Sequence, residues 1–216
     1  MHLPDGILSP AVCATTLLAS GVTVAFAIKK ASTPIASSQP IILATAAAGT
    51  LLVQAFNFPI SSLVSGHLLG SALMVWLFGP WVAISLMAMV LGLQGAILGD
   101  GGTWSFGANL LTLAIAPILV ATFARNASAR YRTSRLQTLM TVGISTTVGY
   151  LCSALCLAGL LAMGAPVTTG WMAGFLAQNS LLPAVIEGMA TSGIIAISLS
   201  TTSTVAGSSL KTTINP

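Results

Sequence analysis

Charge is what this sequence has least of. Seven Lys or Arg, three Asp or Glu and two His serve 216 residues. An ordinary soluble domain is about one quarter charged, against 5% here, so these side chains cannot clothe a water-facing surface of this length. Other absences narrow the function. There is no G-x-x-x-x-G-K-[ST] phosphate loop: at the nearest approach, Lys211-Thr212, Leu210 stands in the glycine position and only four residues follow. There is no H-E-x-x-H, so an intramembrane zinc protease is not indicated. No enzymatic activity of the chain itself is expected. Cys13, Cys152 and Cys156 are odd in number and lie in apolar stretches, which implies no disulfide framework. Cys152 and Cys156 share one helix face, and packing explains them, as it does the eight scattered methionines.

What is present is apolar: 55% of the residues are hydrophobic, with mean hydropathy +0.97. Lipid is the solvent that suits such a chain. The runs predict an all-α integral membrane protein of about seven transmembrane helices, at 11–28, 41–56, 60–78, 81–98, 106–124, 137–163 and 180–202. One membrane domain covers 1–216: a short segment 1–10, the bundle 11–202 and a polar tail 203–216. Ser9-Pro10 is a good helix start, serine capping and proline at the first helical position. Residues 1–10 lack a basic region and no A-x-A-like site follows 11–28, so the first helix is expected to stay as an uncleaved anchor.

The formal net charge of +4 reads as a topology signal and not as a nucleic-acid surface. With the N-terminus outside and the C-terminus cytoplasmic, Lys29, Lys30, Arg125, Arg130, Arg132, Arg135 and Lys211 all fall inside. Asp5 and Asp100 fall outside. Six spans break that agreement.

Two histidines remain, His2 and His67. With Met1 as the first residue, its amine, the His2 amide and the His2 imidazole are three nitrogens in a row. They can close a five-membered and a six-membered chelate ring nearly in one plane. A fourth nitrogen completes a square, a geometry that suits Ni(II) or Cu(II). His67, expected about seven residues into the third span between Gly66 and Gly70, is the other imidazole. An intramembrane ionisable residue is a functional candidate. The residues alone leave a second reading open, in which His2 is a polar chain end and His67 packs between helices against a hydroxyl.

Met1-His2-Leu3-Pro4-Asp5-Gly6-Ile7-Leu8-Ser9-Pro10 resembles the opening signature of the NikM/CbiM family, the nickel/cobalt substrate-binding S components of energy-coupling factor transporters. Ser65-Gly66-His67, Leu93-Gln94-Gly95 with Gly99-Asp100-Gly101-Gly102, Gly107-Ala108-Asn109 and Ile186-Glu187-Gly188 resemble further blocks in the same order, across almost the whole chain. The resemblance implies a seven-helix S component in the cytoplasmic or inner membrane of a prokaryote. It implies capture of Ni(II) or Co(II), as transported substrate, by the Met1 amine, the His2 amide, the His2 imidazole and the His67 imidazole. Pro4-Asp5-Gly6 is then a turn that folds the terminus into the bundle. Implied partners are a transmembrane coupling subunit, two ATPase subunits and a small accessory membrane subunit. Asp5, Gln94, Asp100 and Asn109 are candidates for positioning the segment or orienting the ligands. Ala44 and Ala48, on an alanine-rich second span, are candidates for docking on the coupling subunit, with packing inside the bundle as the other reading. The alternative to an S component is a stand-alone ion-coupled transporter or channel using Glu187, the one carboxylate inside a span.

Overall fold

A computed structural model describes residues 2–37, 40–56, 58–59, 65–131, 133–164 and 180–200. Met1, Arg132 and the tail 203–216 lie outside the described residues. Helix α1 is Pro10–Ser37, α2 Pro40–Ala55, α3 Ser71–Phe78 and α4 Pro80–Leu93, the last continued by a π-helical turn Gln94–Leu98. Helix α5, Phe106–Leu110, passes through a second π-helical turn, Leu111–Ile115, into α6, Ala116–Tyr131. Helix α7 is Arg135–Gly164 and α8 is Ser180–Ser200. Strands β1, Phe58–Pro59, and β2, Ser65–Gly66, form a two-residue antiparallel pair.

The helix ends follow from their residues. Pro10 opens α1, and the Val12 N–H donates to the Ser9 hydroxyl oxygen at 3.4 Å. Gly79, at φ +85°, closes α3 and opens α4 at Pro80. Its N–H donates to the Val75 carbonyl at 2.9 Å. Only a residue at ease with positive φ turns so tightly between two helices.

Among the described residues, five helices are long and apolar enough to cross a membrane: Pro10–Ser32 of α1, Pro80–Leu98, Phe106–Tyr131, Arg135–Met163 and Ser180–Ser200. The surface is apolar in the way lipid requires. Leu18, Ile41, Phe123 and Leu155 are all more than 60% exposed, whereas Ser20, Gln54, His67, Ser71 and Gln94 are fully buried. The chain is a multi-pass membrane protein.

The expected third span needs correction. No helix runs through the described part of 60–78: residues 67–70 are irregular and α3 is eight residues long. Gly70 adopts φ +74°, in the left-handed region, and starts the helix there. His67 therefore does not stand on a helix, and a depth reckoned at 1.5 Å per residue does not apply to it. Helix α1 runs on past Lys29 and Lys30, and Arg125 and Arg130 lie on α6 rather than in a loop.

Charge is segregated along the bundle. Lys30 Nζ lies 5.6 Å from the Phe26 ring, and Phe26 meets Trp81 edge-on at 5.3 Å. A Cβ on Gly79 would come within 3.3 Å of the Arg125 guanidinium. These cations therefore gather where α4 begins. Eighteen residues later the same helical run ends at Leu98, two residues before Asp100, about 27 Å away at 1.5 Å per residue.

Candidate metal centre

The amino-terminal segment is irregular at residues 2–4 and turns at Asp5-Gly6, and side chains from the α5 region hold it against the bundle. Asn109 brackets Leu3. Its Oδ1 accepts the Leu3 N–H at 2.8 Å, and its Nδ2 donates to the Leu3 carbonyl at 3.1 Å. The Gly102 N–H donates to the same carbonyl at 2.9 Å. Leu3 itself is fully buried, which is worth about 1.5–3 kcal/mol for such a side chain. One residue pair further on, the Asp5 carboxylate accepts from Thr103 N–H at 2.9 Å and Ser105 N–H at 3.0 Å. The Ser105 hydroxyl donates to the Pro4 carbonyl at 3.1 Å. The glycine loop makes this fit possible: a Cβ on Gly102 would lie 2.0 Å from Asp5 Oδ1.

Two close backbone contacts set the elements around this segment. A Cβ on Gly107 would lie 2.2 Å from Leu17 Cα, so α1 and α5 cross almost backbone to backbone. The Ser20 hydroxyl donates to the Gly107 carbonyl at 2.8 Å across that crossing. Gln94 begins one π-helical turn and Asn109 stands just before the other. Such widened turns redirect side chains and recur at functional sites.

So held, His2 meets His67. Nδ1 of His2 and Nε2 of His67 are 3.1 Å apart, and the rings stack with centroids at 4.7 Å. His2 is 5% exposed and His67 0%. The hydrogen-bond pattern assigns the protons. Nδ1 of His67 faces the Leu68 carbonyl at 2.9 Å. A carbonyl only accepts, so this nitrogen donates and Nε2 presents its lone pair to His2. Burial lowers the His2 pKa from 6.5 to about 4, against the opposing pull of Asp100. His2 is therefore neutral at pH 7, and its 3.5 Å contact from Nδ1 to Asp100 Oδ2 is an ion–dipole contact, not a salt bridge. Nε2 of His2 and both amide atoms of Gln94 are buried with no hydrogen-bond partner among the described residues, although Gln94 lies close enough to favour the charged imidazole.

The donor set can be tested against an ion. Nitrogens about 2.0–2.1 Å from a central ion at adjacent corners of a square lie about 2.9 Å apart, close to the 3.1 Å found. Among the described residues no three His, Cys, Asp or Glu side chains converge as a metal site. Among the described residues, side chains alone do not complete four ligands here. Met1, the expected source of one of them, lies outside the described residues.

The structure brings His2, His67, Asp5, Gln94, Asp100 and Asn109 to one end of the bundle. Ala44 and Ala48 are elsewhere, exposed on α2 with Thr45 and Gly49. Reading the sequence missed Ser105, and it missed Gln54 and Tyr150, which fix the segment carrying His67. Gln54 Nε2 donates to the Leu69 carbonyl at 2.6 Å and the Tyr150 hydroxyl to the His67 carbonyl at 3.2 Å. Their signal was available: each is a lone polar group inside an apolar run, where such groups tend to have a task.

A helical membrane protein with a buried, stacked imidazole pair presents nitrogen donors of the kind a small cation takes. Its family follows from comparison. Residues 2–204 match CbiM, the cobalt uptake substrate-specific transmembrane region, and the chain belongs to that family. It is 34% identical over 121 residues to the fused nickel transport protein NikMN of Rhodobacter capsulatus, covering 56% of this chain and 35% of that one. It is 28% identical over 200 residues to the cobalt transport protein CbiM of Acetohalobium arabaticum, covering 88% and 78%. Relatives in Haloquadratum walsbyi and Lactiplantibacillus plantarum are matched over 55% and 36% of their lengths, so the chain spans about a third to a half of several curated relatives. A crystal structure of a truncated transition metal transporter superposes with a TM-score of 0.84 over 93% of this chain and 99% of that one, at 23% identity. That likeness carries the fold.

Proposed function

We propose that this chain is the substrate-binding component of an energy-coupling factor importer and captures Ni(II) or Co(II) from outside the cell. The observation that carries the reading is the buried pair of imidazole nitrogens 3.1 Å apart, with the segment that carries His2 folded in to make it. The four donors are the Met1 amine, the His2 amide, His2 Nδ1 and His67 Nε2. The names of relatives support either ion, since one is a nickel and another a cobalt transport protein.

A hydrated ion enters from the outer end, where Asp5 and Asp100 lie, and exchanges water for nitrogen. Binding through Nδ1 moves the His2 proton to Nε2, beside Gln94, and ionises the His2 amide. Protons leave as the ion enters, so affinity falls in acid. Asn109, Asp5 and Asp100 hold the segment that closes over the ion. The basic end of the bundle faces the cytoplasm.

Release inward is driven by partners: a transmembrane coupling subunit, two ATPase subunits and a small accessory membrane subunit. The exposure of Ala44 and Ala48 supports a small-residue face on α2 for docking the coupling subunit. Glu187 gives little support to the stand-alone transporter, because both its carboxyl oxygens accept backbone N–H groups.

The test is metal retention and uptake. The purified chain should hold about one Ni(II) or Co(II), and His67→Ala should hold it far more weakly. In liposomes the chain alone should bind without accumulating the ion, and accumulation should need the partners and ATP. Accumulation by the lone chain on an ion gradient, abolished in Glu187→Gln, would make it a secondary transporter.

A further inference from the structure

His67, like His2, stands on no helix. It stands in the irregular stretch 67–70, after the two-residue strand β2 and before α3. Its position is set by what grips this stretch. Tyr150 on α7 binds the His67 carbonyl and Gln54 on α2 binds the Leu69 carbonyl, each by one bond. Glu187 on α8 makes two. Its Oε2 accepts the Leu69 N–H at 2.7 Å and its Oε1 accepts the Gly70 N–H at 2.9 Å. These N–H groups lie at the start of α3, where a helix leaves donors unpaired and favours a negative neighbour.

Glu187 is itself seated firmly. A Cβ on its neighbour Gly188 would lie 2.3 Å from Thr147 Oγ1 and 2.7 Å from the Gly143 carbonyl oxygen, so α7 and α8 meet backbone to backbone there. Thr147 Oγ1 donates to the Ala184 carbonyl at 3.2 Å and Ser192 Oγ to the Leu139 carbonyl at 3.0 Å, one on each side of that contact. Glu187 is 4% exposed.

The geometry points to Glu187 as the positioning residue of the metal centre, a carboxylate on α8 that sets His67 by clamping the two amides that follow Leu68. This rests on His67 being a ligand. Glu187 does not touch the ion; it acts through the backbone of residues 67–70. It also ties the pose of α8 to the fourth corner of the site.

Two backgrounds test this, with Ni(II) as the probe on the purified full chain. Glu187→Gln keeps the size but can accept only one of the two bonds. In the native background it should weaken Ni(II) binding about 10–100-fold, the usual effect of losing a partner that orients a ligand. In a His67→Ala background, where there is no ligand left to position, it should change affinity by less than about threefold, because contributions through a shared group do not add. Electron paramagnetic resonance of bound Cu(II) should show fewer coupled nitrogens in Glu187→Gln, as in His67→Ala. Glu187→Asp, one methylene short of the amides, serves the same comparison if the Gln variant does not assemble. The inference is overturned if the substitution leaves affinity and the Cu(II) spectrum native, or if its loss adds in full to that of His67→Ala. If His67→Ala binds Ni(II) like the native chain, the four-nitrogen reading itself fails. His67→Ala weakening binding while Glu187→Gln does not would sink the Glu187 assignment alone.

Discussion

Asn109 grips Leu3 at both ends of one peptide residue, accepting its N–H at 2.8 Å and donating to its carbonyl at 3.1 Å. A side-chain amide here imitates a neighbouring strand, and it fixes the chain one residue after His2. Asn109→Ala leaves the Leu3 N–H buried and unpaired, a loss of about 1–3 kcal/mol, while Gly102 still serves the carbonyl. Ni(II) affinity of the purified protein should fall about 10–100-fold with the bundle intact. Calorimetric titration checks this, and native affinity would remove Asn109 from the positioning set.

Gly102 and Gly99 offer a matched pair. A Cβ at Gly102 would stand 2.0 Å from Asp5 Oδ1 and 2.4 Å from the Asp5 backbone nitrogen, so Gly102→Ala should expel the segment and abolish Ni(II) binding. At Gly99, with φ +65°, a Cβ meets nothing within 4 Å. Gly99→Ala should cost only backbone strain, about 1–2 kcal/mol, and keep native affinity. Equal losses of binding in the two would show that loop strain, not the seat of Asp5, sets the result.

The sequence made the spans legible because lipid demands long apolar runs, but hydropathy marks where the membrane ends and not where the helix does. Helix α1 therefore continues past Lys29 and Lys30, and α6 past Arg125, out of the apolar zone. The third span failed for a related reason. Residues 60–78 read as one mostly apolar run, yet within it Gln54, Tyr150 and Glu187 satisfy backbone groups a helix would have paired. Irregular backbone is tolerated at membrane depth when protein surrounds it. Those partners are distant in the chain, so no local pattern could announce them. His2 stood out in the sequence because its amide and imidazole are consecutive nitrogen donors, and Asp5 and Asn109 because their blocks resemble those of the family.

Acid should loosen the segment even without metal. Burial holds the His2 pKa near 4 against 6.5 when free. Between those values the seated imidazole is neutral and the released one protonated, so the released state binds more protons and seating weakens as pH falls from 6.5 toward 4. Above 6.5 the effect vanishes. The full span of the shift corresponds to about 3 kcal/mol. Metal-free protein in detergent should lose several degrees of thermal midpoint between pH 7 and pH 4.5. His2→Gln should lose less over the same range, and an equal loss in both would place the acid-sensitive group elsewhere.

Orientation is open to direct labelling. The cations near Lys30, Gly79 and Arg125 and the acids near His2 sit at opposite ends of α4. A cysteine replacing Arg130 should react only with a reagent supplied from the cytoplasm, and one replacing Thr103 only from outside. Reversed labelling would turn the importer reading around.

The sharpest prediction concerns the amine. Leu3 is clamped by Asn109 and Gly102, so the path from that clamp back to His2 Nδ1 has a fixed length. Met1, next to His2 in the chain, is the proposed source of the amine donor. Adding a glycine before Met1 shifts the amine one residue outward and places a second amide between it and His2. The donors then run amine, amide, amide, imidazole, a complete square that needs no nitrogen from His67. Such a tail can still hold Ni(II), but its fourth corner is filled from its own chain. Residual binding should therefore become indifferent to His67→Ala, whereas native binding is not. Uptake with the partner subunits should be lost, because the ion is no longer bound to the bundle. Acetylation of Met1 should also abolish uptake, since an acetylated nitrogen cannot serve as the amine donor. If the extended or acetylated protein, with its partners, takes up Ni(II) at the native rate, the amine is not a ligand.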